Sequence, residues 1–63
     1  MWPFGKKNYV IFSAVYSAYY ADPKYNLTEV WTSNINKAMR FTSGEADAML
    51  FRLVGYFVVK VKV

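Results

Sequence analysis

Residues 42–63 read TSGEADAMLFRLVGYFVVKVKV, and the hydrophobic period changes halfway along them. Ala46, Met49, Leu50, Leu53 and Val54 recur at the i, i+3, i+4 spacing of an amphipathic helix. Thr42 and Glu45 have the capping-box spacing, in which each side chain takes a backbone N–H left unpaired at a helix start. Gly55 stands where a left-handed C-cap is wanted. From Tyr56 the period drops to two. Phe57, Val59, Val61 and Val63 face one way, and Tyr56, Val58, Lys60 and Lys62 the other. A helix over 43–54 running straight into a strand over 56–63 makes the fold class α+β.

Upstream, residues 9–20 are rich in β-branched and aromatic side chains, which predicts a long first strand. The small Ala14, Ser17 and Ala18 suit a central strand crossed closely by a helix. Asp22-Pro23-Lys24-Tyr25-Asn26 carries turn chemistry, and residues 27–32 return as a second strand. Ser33 or Asn34 caps a short helical turn over 34–39, and Phe41 is expected to plug the core. The expected architecture is a small ββαβ domain spanning residues 1–63. Its three-stranded, mainly antiparallel sheet has the order 2-1-3. The main helix (43–54) and the short turn (34–39) cover one face, and the other is open. Lys60 and Lys62 then protect the last strand as an edge.

The first strand is apolar on both sides, so parity alone does not separate its faces. The two serines mark Tyr9, Ile11, Ser13, Val15, Ser17 and Tyr19 as the outer set. Val10, Phe12, Ala14, Tyr16 and Ala18 are then the inner set. On this reading Tyr9, Tyr19, Trp31, Tyr56, Lys60 and Lys62 form the exposed candidate binding residues. Phe57 belongs to the core. Phe51 lies off the helix stripe, as a contact for a partner or for Trp2 or Phe4. The apolar segment 1–5 is expected to tuck against the body, with a free peptide that inserts into a partner pocket as the alternative.

Tyr9-Val10-Ile11, Trp31 and the run from Ile35 through Lys37, Ala38, Phe41 and Ser43 to Glu45-Ala46 resemble a pattern in short, uncharacterised bacteriophage and prophage proteins. Those chains carry a Tyr-Val-Ile-type strand, an aromatic residue, an Ile-x-Lys-Ala-x-x-Phe-x-Ser segment and a helix opening on Glu-Ala. The likeness covers roughly residues 9–50. It implies a phage or mobile-element origin and transfers no functional residue, because the group shares no established chemistry. This chain departs from it at Phe12, where a Lys or other polar residue is usual; that pattern implies the opposite face assignment for the first strand.

Thirteen aromatic side chains, six Tyr, five Phe and two Trp, crowd a chain of 63 residues. A domain this short buries only about 60% of the surface its unfolded chain exposes. Aromatic groups are therefore expected at a surface, or under a second copy of the chain. Disulfides are impossible without Cys, and a zinc site is disfavoured without Cys or His. No cofactor is expected. Catalysis is disfavoured too, because the commonest acid–base and nucleophilic groups are missing and Glu45 and Asp47 do not share a helix face.

A net charge of +4 attracts acidic proteins or nucleic acid. The apolar run 9–21 after Lys6-Lys7 is too short to span a membrane and too rich in Tyr and Ser for a signal peptide. A cytoplasmic location, in the host cell for a phage protein, is expected. The function expected is a non-catalytic binding protein that inhibits a host protein through an aromatic and basic sheet face, with a homodimer possible. Two alternatives stand beside it. One is a single-strand nucleic-acid binder using Tyr stacking and Lys–phosphate contacts; the other is a virion accessory protein.

Overall fold

A computed structural model describes residues 5–63; the expectations for Trp2, Phe4 and the segment they begin lie outside it. The chain is α+β, with one main helix and an antiparallel sheet. That sheet has four strands rather than three: β1 (Tyr9–Ser13), β2 (Ala18–Tyr20), β3 (Trp31–Thr32) and β4 (Val58–Lys62), in the order β3-β2-β1-β4. The expected first strand is a hairpin. Residues 14–17 turn tightly, with Ser17 left-handed at φ 51°, and the chain comes back as β2. Ala14 and Ser17 are exposed turn residues, not the floor of a helix crossing. With the hairpin in place of the single strand, the expected order and antiparallel pairing hold, and β4 is an edge. The second strand shrinks from 27–32 to Trp31–Thr32 because residues 22–30 form a long loop.

Pairing of β1 with β2 stops at Phe12–Tyr19. Beyond it, residues 38–41 take over the vacated hydrogen bonds. Tyr9 and Phe41 exchange N–H···O=C bonds of 3.0 and 2.8 Å, and the Met39 N–H donates to the Tyr20 carbonyl at 2.9 Å. This insertion buries Ala38 and Phe41, so Phe41 fills the core as expected. Just before it, Asn34 caps a single 3-10 turn, Ile35–Lys37, where a turn over 34–39 was expected.

The helix, α1 (Ser43–Arg52), starts with the capping box read from the sequence: the Thr42 hydroxyl accepts the Glu45 N–H and the Glu45 carboxylate accepts the Thr42 N–H. Its end differs. A 3-10 turn, Val54–Tyr56, continues the chain, so the left-handed residue is Phe57 (φ 50°) and not Gly55. Val54 leaves the buried stripe as a result and is exposed. The core is Ile11, Phe41 and Ala46, with Tyr9, Tyr20, Met39, Met49, Leu50, Leu53 and Val58 packed against it.

That cluster corrects the face assignment. Ile11 is 0% exposed beneath the helix, and its register partner Lys60 lies on the same side. Tyr9, Ser13, Val58 and Lys62 go with it, because side chains alternate along a strand and paired residues share a face. The odd residues of β1 are thus the helix-facing set, as the resemblance implies, while Phe12 and the fully buried Val10 lie on the other face. Phe57 is not in the core: it is 72% exposed. Among the described residues, no helix is long and apolar enough to cross a membrane.

Candidate binding surface

Three aromatic rings from three separate elements meet at the hairpin end of the sheet. Tyr16 comes from the hairpin turn, Trp31 from β3 and Tyr56 from the end of the 3-10 turn after α1. Their centroids lie 5.4–5.8 Å apart: Tyr16–Trp31 5.6 Å, Trp31–Tyr56 5.4 Å and Tyr16–Tyr56 5.8 Å. Tyr20 meets Trp31 edge-on at 5.7 Å and links the group to Phe41 at 6.2 Å. Such pairs contribute about 0.5–1.5 kcal/mol each beyond their buried area. The cluster is thus rooted in the core, while Tyr16 and Tyr56 stay exposed on its outer side. Val15, Val54 and Phe57 are exposed from the same segments of chain.

Ser13 organises this arrangement. It is 0% exposed; its hydroxyl donates to the Tyr56 carbonyl at 2.9 Å and accepts the Tyr16 N–H at 3.2 Å. One buried side chain thereby ties two of the three aromatic segments together, its hydroxyl both donating and accepting. Sequence reading takes Ser13 as a marker of the outer face and misses this role. Alternation with Ser17 offers no signal that the hydroxyl turns inward.

The predicted site residues fall into three places. Trp31 and Tyr56 come together. Tyr19 lies on the face turned away from the helix, edge-on to Phe12 at 5.3 Å and on the same face as Val59 and Val61. Tyr9, Lys60 and Lys62 lie on the helix side of the sheet. Lys60 is engaged: its ammonium contacts Asp47 Oδ1 at 2.8 Å and Ser43 Oγ at 2.9 Å, and stands 5.3 Å from the centre of the Tyr9 ring. The expected face is therefore split: Tyr19 lies on the opposite side of the sheet from Tyr9, Lys60 and Lys62, and the Trp31–Tyr56 pair lies near the Val58 end of β4 while Tyr9 pairs with Lys62 at the other.

The charged groups near the start of α1 have structural partners as well. Lys7 and Glu45 pair at 3.1 Å. The Thr42 N–H bonded to the Glu45 carboxylate, helped by Lys7, holds its pKa below the ordinary value. Among the described residues, no three potential metal ligands converge. No known protein family, curated protein or solved structure matches the chain.

Proposed function

We propose that this chain is a small, non-catalytic protein-binding domain, encoded by a phage or mobile element, that attaches to a host-cell protein in the cytoplasm and inhibits it. The observation that carries the binding reading is the Tyr16–Trp31–Tyr56 cluster with exposed Val54 and Phe57 beside it. Rigid aromatic groups lose little entropy when covered and bury large area, which is why Tyr and Trp dominate interface hot spots. The phage origin rests on the sequence resemblance. Self-association belongs to the same proposal, because a second copy relieves the apolar exposure of so small a chain.

The Tyr16–Trp31–Tyr56 cluster lies toward the end of β4 away from Lys62, and Lys60 is held by Asp47; both weigh against nucleic acid, whose binding joins stacking to phosphate contacts on one track. Affinity capture from bacterial lysate tests the reading. One specific protein should be retained on the wild-type chain through high salt and lost with a Tyr16→Ala, Phe57→Gly double variant. Recovery of nucleic acid alone, released steeply as salt rises, would overturn it.

A further inference from the structure

A groove of about 340 Å³ lies between α1 and the inserted segment 38–41, lined by the apolar Met39, Phe41 and Met49 and flanked by Arg40 and Arg52. Methionine suits such a surface, since its flexible, polarisable side chain adapts to whatever covers it. The acid within the groove, Glu45, already holds Lys7 and the Thr42 N–H, so it does not neutralise the arginines. Neither Arg40 nor Arg52 has an ion-pair partner among the described residues.

The chemistry that this groove lacks is displayed elsewhere on the chain. The β2–β3 loop exposes Leu27 (87%) and Val30 on either side of Glu29. Of the four acids, Glu45 and Asp47 are ion-paired and Asp22 accepts the Lys24 N–H; Glu29 has no partner among the described residues. The loop is held ready. Asn26 Oδ1 accepts both the backbone N–H and the hydroxyl of Thr28, at 3.0 and 2.8 Å, and the Val30 carbonyl accepts the Ala21 N–H at 2.8 Å. A pre-shaped loop loses less entropy on docking. From the charge complementarity we infer that the Leu27–Glu29–Val30 loop of one copy docks in the Met39–Met49 groove of another, with Glu29 between Arg40 and Arg52. This rests on the self-association proposed above and names its surfaces.

Sedimentation velocity on the full chain, from about 10 µM to about 1 mM, tests it at the affinities expected of one small contact. The wild type should gain mass with concentration, and less so as salt rises. Glu29→Arg and Arg52→Glu, both at exposed positions, should each weaken association about tenfold or more, because each sets like charges together. Mixing the two variants, or combining them in one chain, should restore it; circular dichroism verifies that each is folded. A wild type that stays monomeric overturns the inference and self-association together. Association that survives both variants, or that mixing fails to restore, overturns the loop and groove alone. Leu27→Asp gives a charge-independent check, and undiminished association of that variant also refutes the docking.

Discussion

Phe57 combines two properties that a stable fold alone does not favour: a left-handed backbone and a ring that is 72% exposed. A non-glycine residue in that conformation costs about 1–2 kcal/mol. At ordinary positions Ala is more stable than Gly by about 0.5–1 kcal/mol, through the entropy of the unfolded chain. At position 57 the order should invert. Phe57→Ala and Phe57→Gly lose the same ring, so their difference isolates the backbone. The left-handed cost removed by glycine, less its entropy penalty, leaves Gly ahead by about 0.5–1 kcal/mol. Urea denaturation of a domain this small has a slope of about 1 kcal/mol per molar, so the glycine midpoint should lie about 0.5–1 M higher. Relative to wild type, Phe57→Gly should be close to neutral, because little of the ring is buried. Both variants should lose the proposed partner equally. A Phe57→Ala protein as stable as Phe57→Gly would refute the reasoning, since φ 50° would then carry no cost.

Ser13→Ala should cost about 1–3 kcal/mol, because it strands the Tyr56 carbonyl and the Tyr16 N–H in a part-buried site; thermal melts measure the loss, and near-ultraviolet circular dichroism should show the aromatic cluster loosening. Thr42→Ala should cost about 1 kcal/mol through the lost cap, read from the denaturation midpoint. The depressed Glu45 pKa makes a contribution that is present above the ordinary value of 4.5 and is lost as pH falls through the lower folded value. Glu45→Gln should flatten stability against pH in that acid range and leave it unchanged in slope near neutrality; an unaltered acid slope counts against the Thr42 and Lys7 contacts.

The parts of the fold that were legible are those whose causes lie within a few residues. Thr42 and Glu45 find each other across one helical turn whatever surrounds them. Likewise Asn34 caps its 3-10 turn locally, through the Asn36 N–H. The hairpin hidden in residues 9–20 was not legible, because Val15 and Tyr16 carry strand propensity yet sit in a turn. Propensity reports how a side chain fits a pleated surface, and Tyr16 instead stacks on Trp31. The candidate site was legible only as a list of residue types. Trp31 and Tyr56 met as partners, whereas Tyr9, Tyr19, Lys60 and Lys62 did not join them.

By itself, then, the chain's sequence determined the class, the start of the helix, the antiparallel pairing and the edge position of its last strand. Those follow from period, capping chemistry and the shortness of the connections. Only the tertiary structure decided which side of β1 faces the helix, since Val10 and Ile11 on opposite sides are both fully buried. Val10, Ile11 and Phe12 are all apolar, so no local preference separates the faces. Packing of Ile11 against Phe41 and Ala46 made the choice, and a strand's alternation then carried it to every neighbour. The same choice brought Lys60 to Asp47, turned Ser13 inward and left the Tyr16–Trp31–Tyr56 cluster at the surface.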